Sequence, residues 1–212
     1  MVNEFYFKSS TGKKLYAKRW INENISDYKG IIQIIHGMQE HINRYNEFAE
    51  FLAEKGYIVY GHDQLGHGNS KTDKDEGFFD KKDGYLRLVD DVHILQKQIR
   101  QEYPSLPYIM LGHSMGSLIL RIYLTIYDDN IDKAILMGTS GREKNLRSGL
   151  ILAKLIKIFR GEKYKSKKLY ELVQGSFNKQ FKNANNNLEW ITSNIEKQGE
   201  YKNDSKCGIR FT

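Results

Sequence analysis

The sequence predicts an α/β chain with a mostly parallel sheet covered by helices on both faces, and three observations carry that prediction. Short apolar runs alternate with segments of helical periodicity along the first two thirds of the chain. Two of the runs, Gly30 to Ile35 and Tyr57 to Tyr60, are continuous rather than alternating, as in strands buried on both faces. A length of 212 residues, 40% apolar and 12% aromatic, suffices for a real core and argues against disorder.

The elements follow in order. Alternating stretches at Phe5 to Lys8 and Leu15 to Trp20, separated by Ser-Ser-Thr-Gly, read as an antiparallel hairpin. Gly30 to Ile35 is a buried strand ending in His-Gly. Phe48, Phe51 and Leu52 then fall at helical spacing with Gly56 as a stop. Tyr57 to Tyr60 is the next buried strand, and Gly84 to Tyr103 a long helix with Leu88, Val92 and Leu95 on one stripe. Tyr108 to Leu111 reads as a strand, Ser117 to Tyr127 as a helix, and Ala134 to Met137 as a further strand.

Charge breaks this rhythm. Residues 142–182 hold twelve Lys/Arg against three Glu, a net of +9 within a chain whose total is +7, so the remainder carries −2. The segment reads as an insertion. The expected organisation is a core over 1–140, a basic helical cap over 141–190, and residues 191–212 leading from the cap back toward the core. In the cap, Leu150, Ile151, Leu152, Leu155, Ile156, Ile158 and Phe159 crowd one side of a helix, with Lys154, Lys157 and Arg160 on the other. Two readings follow: peripheral contact with an anionic membrane, or an apolar face packed on the core with its Lys in water. Lys163 to Lys168 reads as a solvated charge run, and Trp190 and Cys207 as packing residues. A single Cys makes no internal disulfide, no Cys/His pair has zinc-site spacing, and no metal or organic cofactor is expected. The start lacks a secretory signal and no stretch is apolar enough to span a bilayer, so a cytoplasmic protein is expected. Tyr164 and Tyr170 are thin stacking support for a nucleic-acid binder, which is set aside.

Ligands of such sheets sit beyond the carboxyl ends of the strands. After the strand ending at Leu111 comes Gly112-His113-Ser114-Met115-Gly116, a Gly-x-Ser-x-Gly pattern between strand and helix. The two Gly permit a strained turn that lifts the Ser hydroxyl above the sheet and aims a helix N-terminus at it. Ser114 is therefore the expected nucleophile. After Ile35 comes His36-Gly37-Met38-Gln39-Glu40-His41. Attack on a carbonyl needs two donors where the oxyanion develops, and the backbone N–H groups of Met38 and Met115 are the expected pair. His36 is read as a brace for its loop rather than a proton carrier. Asp63-Gln64-Leu65-Gly66-His67-Gly68-Asn69-Ser70 is read as loop architecture, closed by side-chain to backbone bonds of its Asp and Ser.

Those three motifs, in this order and spacing, resemble the monoacylglycerol lipase and lysophospholipase branch of the α/β-hydrolase superfamily, which is also labelled serine aminopeptidase S33-like. The likeness extends over the whole chain, including Gly84 to Tyr103 and Cys207-Gly208-Ile209-Arg210-Phe211-Thr212. It implies an α/β-hydrolase fold with a cap insertion, Ser114 as nucleophile, Met38 and Met115 as the oxyanion hole, and a serine carboxylester hydrolase acting on monoacyl lipids. Gln64 stands where the branch often has Arg. An aminopeptidase-like or thioester-cleaving member of the same fold, and a catalytically dead lipid-binding fragment, are the alternatives.

Such hydrolases order their triad as Ser, acid, His. All six His of this chain precede Ser114. The expectation is therefore a chain truncated at its C-terminus, missing about 60 residues at about 30 per strand-helix unit, with the acid and the His among them. Loss of the triad His typically costs on the order of a millionfold in turnover. The strand at Ala134 to Met137 is then expected to present an unpaired apolar edge that favours self-association.

Overall fold

The computed structural model describes residues 1–127, 131–141, 146–175, 177–181 and 187–212. Arg142, Lys144 and Lys182, counted above in the cationic segment, lie outside the described residues. Six strands, β1 (Val2–Lys8), β2 (Lys14–Trp20), β3 (Gly30–Ile35), β4 (Tyr57–His62), β5 (Tyr108–His113) and β6 (Lys133–Met137), form one sheet in the order β1-β2-β4-β3-β5-β6. β1 and β2 make the expected antiparallel hairpin, β2 pairs antiparallel with β4, and β4, β3, β5 and β6 run parallel.

Three helices cover this sheet: α1 (Asn46–Glu54), α2 (Gly84–Glu102) and α3 (Met115–Ile126). β3 shows why its sequence is a continuous apolar run. Ile31 and Ile35 join the core built with Leu88, Val92 and Leu95 of α2 and Ile119 and Leu120 of α3. Ile32 and Ile34 join a second core with Ala49 and Ala53 of α1. Gln33, in the same buried strand, is satisfied rather than exposed. Its Nε2 donates to Val92 O at 3.1 Å and its Oε1 accepts from Tyr108 Oη at 2.6 Å.

The stripe on α2 is as expected, while α1 differs. Its buried face is Ala49 and Ala53, and Phe48 and Phe51 are exposed. Ala49 and Ala53, on the face beside the Phe48 and Phe51 stripe, are the residues of α1 that join the second core.

β6 pairs only with β5 among the described residues, and every residue along it is exposed, including Ile135, Leu136 and Met137. An open apolar edge is present where the sequence placed one.

Beyond β6 come α4 (Leu146–Arg160), α5 (Lys167–Gln174) and α6 (Ile195–Asn203). The apolar side of α4 is not packed on the core. Leu152 and Ile156 are half-buried, but Leu150, Ile151 and Leu155 are exposed, with Ile158 at 73% and Phe159 at 80%. Lys163 to Lys168 is not simply a solvated run either. Lys163 Nζ donates to Lys74 O at 3.1 Å, Lys165 pairs with Glu76 at 2.7 Å, and Ser166 is buried and caps α5. Charge here ties the segment between α4 and α5 to the loop around Glu76. After α6 the chain returns to the core, with Gly208 N donating to Gln39 O at 3.0 Å and Thr212 N to Gly77 O at 3.1 Å. Among the described residues no helix is long and apolar enough to cross a membrane.

Candidate active site

The carboxyl ends of β3, β4 and β5 bring the three motifs together. Ser114 lies between β5 and α3 as the N-cap residue of α3, with φ 51° and ψ −117°. That backbone is in a sparsely populated region for a non-glycine residue and costs on the order of 1–3 kcal/mol, which the surroundings must hold in place. They do so by close approach. A Cβ on Gly112 would stand 2.5 Å from Gly116 O, and one on Gly116 would overlap the Ile35 carbonyl oxygen. Neither position admits a side chain. Ser114 N donates to Met137 O at 2.9 Å, and Ser114 O accepts from Ser117 N at 2.9 Å and Ser117 Oγ at 2.6 Å, so the turn is bonded on both sides.

The loop after β3 lies directly against the turn. A Cβ on Gly37 would be 3.1 Å from Ser114 Cβ and 3.2 Å from His113 Nδ1. Met38, the expected first oxyanion donor, follows Gly37 in that loop, and Met115, the expected second, is the first residue of α3. Gln174 Nε2 at the end of α5 reaches Met38 Sδ at 3.5 Å. Gln39, with φ 64°, is held by the returning C-terminal segment, its Nε2 donating to Ile209 O at 2.8 Å.

Glu40 organises the floor. Its Oε1 accepts from Gly37 N at 2.6 Å and Tyr45 Oη at 2.8 Å, and lies 2.9 Å from His113 Nδ1. Burial alone would raise this carboxyl. The hydrogen bond and charge of His113, with His36 and Tyr45, outweigh burial and hold it down at about 2. The same burial and the Glu40 charge raise the Tyr45 phenol far above its ordinary range. Sequence reasoning missed this network, since nothing in the order of residues shows that Glu40, Tyr45 and His113 converge.

The bracing role read for His36 is borne out. Its Nδ1 donates to Gly37 O at 2.8 Å and its Nε2 accepts from Gln64 N at 3.0 Å, a neutral tautomer consistent with burial lowering its pKa. Gln64, where the branch often has Arg, returns a bond from Nε2 to His36 O at 2.6 Å. The second motif is loop architecture as expected. Asp63 accepts from Ile42 N at 2.7 Å and Asn69 N at 2.6 Å, and Ser70 Oγ donates to Asp63 O at 2.6 Å. His62 and His67 are buried, and burial lowers both, His62 to about 3 and His67 well below its usual value. His41 bonds Asp204 at 2.6 Å, and His93 stacks on Tyr127 at 3.8 Å.

A family profile described as serine aminopeptidase, S33, matches residues 26–212. The monoglyceride lipase homolog of Monkeypox virus is 37% identical over 105 residues, covering 50% of this chain and 36% of the viral protein. The monoacylglycerol lipase of Mycolicibacterium smegmatis (strain ATCC 700084 / mc(2)155) is 30% identical over 140 residues, covering 64% of this chain and 46% of that protein. The chain thus spans less than half the length of these relatives. Among solved structures, a highly thermostable carboxyl esterase from Bacillus coagulans, in complex with glycerol, superposes with a TM-score of 0.87 at 30% identity, covering 99% of this chain and 67% of the esterase.

Proposed function

Because the chain belongs to the serine aminopeptidase S33 family of α/β-hydrolases, we propose that it is the nucleophile-bearing portion of a serine carboxylester hydrolase acting on monoacyl lipids. Ser114 Oγ attacks the ester carbonyl, the N–H groups of Met38 and Met115 receive the developing oxyanion, and an acyl-enzyme forms and is hydrolysed. The acid and the general-base His come from outside residues 1–212. The observation that carries this reading is the backbone of Ser114, φ 51° and ψ −117°, at a strand-to-helix turn lying against Gly37. The names of the relatives, a monoglyceride lipase homolog and a monoacylglycerol lipase, support the monoacyl substrate. The exposed apolar side of α4 beside Lys154, Lys157 and Arg160 supports peripheral contact with anionic lipid, and the open edge of β6 supports self-association.

The test supplies the absent base. With imidazole added, a fluorophosphonate probe is expected to label the chain at Ser114 and to leave Ser114→Ala unlabelled. Equal labelling of the two proteins, or labelling mapped to another residue, overturns the assignment. Turnover of 1-monooleoylglycerol without imidazole is expected to be on the order of a millionfold below that of an enzyme with an intact triad.

A further inference from the structure

Cys207 is the one cysteine of the chain, and its surroundings combine three kinds of donor. α6 ends at Asn203, Asp204 leaves the helix in an extended conformation, and Cys207 N donates to Asp204 O at 3.0 Å. The resulting turn sets the carboxylate and the thiol on one side. Asp204 Oδ1 accepts from Lys206 N at 2.8 Å, which fixes the carboxylate and leaves Oδ2 for His41 Nε2 at 2.6 Å. His41 arrives from the loop after β3, 163 residues away in sequence. The donor atoms of His41, Asp204 and Cys207 all lie within 4.8 Å of one another, and no other such trio of His, Cys or acidic residues occurs among the described residues.

We propose that His41, Asp204 and Cys207 form a binding site for a thiophilic divalent cation of the Zn²⁺ type. An imidazole nitrogen, a carboxylate oxygen and a sulfur form a donor set that suits Zn²⁺ and suits Mg²⁺ or Ca²⁺ poorly. A tetrahedral zinc holds its ligand atoms roughly 3.5 Å apart, so a cation requires His41 Nε2 and Asp204 Oδ2, now 2.6 Å apart, to part by about 1 Å and give up their hydrogen bond, while Cys207 Sγ closes in on them. The turn at 204–207 can supply that movement, because Asp204 and Cys207 are only half-buried while His41 is 4% exposed. The same partial exposure gives an entry route and leaves the fourth position to water.

Binding forms the metal–Sγ and metal–Nε2 bonds as the Sγ proton passes to solvent and the proton that Nε2 gave to Asp204 moves to His41 Nδ1. The occupied site would tie the 204–209 turn to the loop carrying Met38, since Gly208 already bonds Gln39.

The purified chain, stripped of metal, is titrated with Zn²⁺ and separately with Co²⁺. One Zn²⁺ per chain, a rise in the melting midpoint, and a near-ultraviolet thiolate-to-Co²⁺ absorption band are expected. Cys207→Ser and His41→Gln are each expected to weaken Zn²⁺ by about 100-fold or more. Absence of saturable uptake overturns the proposal, and so does uptake that both variants retain at full affinity. The Co²⁺ spectrum of the unaltered chain is decisive even where a variant fails to fold, because a spectrum without the thiolate band excludes Cys207 as a ligand.

Discussion

Glu40 Oε1 lies 2.9 Å from Nδ1 of His113, so the residue preceding Ser114 in the elbow is tied to the loop that carries Met38. One buried carboxylate oxygen therefore sets the spacing between the proposed nucleophile and the proposed oxyanion donor, since it also accepts from Gly37 N. The distance between two backbone segments is maintained here by a side chain, which preorganised catalysis requires.

Replacing Glu40 by Ala leaves the Gly37 N–H buried without an acceptor, at about 1–3 kcal/mol, while the Tyr45 hydroxyl keeps His113 Nδ1 at 3.0 Å. A loss of roughly 2 kcal/mol in urea unfolding at pH 7 is expected. The sign with pH follows from the depressed pKa of about 2. The contribution of Glu40 is fully present above its unfolded value of about 4.3 and is lost as pH falls through the folded one. The difference between wild type and Glu40→Ala should therefore shrink only below about pH 4.3. A difference that already vanishes at pH 6 would show that the carboxylate is not held this way.

Much of this was legible in the sequence, and what was not has a common physical cause. The strands were readable because a strand buried on both faces must be apolar throughout, as β3 is. The elbow was readable because its five-residue pattern is local, although the contact that demands Gly116, with the Ile35 carbonyl oxygen, is not. By contrast, Glu40 with His113, His41 with Asp204, and Lys165 with Glu76 join residues 73, 163 and 89 apart, pairings that no local pattern encodes. The helix α1 was readable from the spacing of Phe48, Phe51 and Leu52, but its buried face, Ala49 and Ala53, was not, because helical spacing locates a stripe without saying which face packs.

Glycine substitutions separate tight contacts from open space. Gly116→Ala would drive a Cβ into the Ile35 carbonyl oxygen, so a loss of more than about 3 kcal/mol, or an insoluble product, is expected. Gly199, inside α6, has nothing within 4 Å of an added Cβ. Gly199→Ala should stabilise α6 by about 0.5–1 kcal/mol through helix propensity. Circular-dichroism melts of the two variants would check both signs, and equal effects would contradict the close approach at the elbow.

His62 is buried beside Phe7, at 5.3 Å between ring centroids, and neither ring nitrogen has a partner among the described residues. Burial, with a smaller contribution from His36, lowers it to about 3. The folded chain keeps the ring neutral while the unfolded chain protonates it below about pH 6.5, so stability falls as pH drops from about 6.5 to the folded value. His62→Leu removes that loss. The variant should lie within about 1 kcal/mol of wild type at pH 7.5 and be more stable by about 2 kcal/mol at pH 5. Parallel stability curves over that range would mean that His62 titrates alike in both states.

The segment between α4 and α5 is fastened by charge rather than by the apolar side of α4. Glu76 receives Lys165 at 2.7 Å and is also paired with Lys71, while Lys81 reaches Glu162 at 3.5 Å and Lys163 covers the Phe78 ring at 5.1 Å. The two lysine hydrogen bonds lower the Glu76 carboxyl despite partial burial. These groups lie near the surface, so each pair is worth only about 0–1 kcal/mol and weakens with salt. Glu76→Gln should therefore leave global stability nearly unchanged and accelerate trypsin cleavage after Lys163 and Lys165 by about 3- to 5-fold at low salt, the equivalent of about 1 kcal/mol of local opening. Added NaCl at about 0.5 M should bring wild type toward the variant, because the Debye length then falls well below the 10 Å that holds at 0.1 M. Cleavage rates that are equal in the two proteins at low salt would place the attachment of this segment elsewhere.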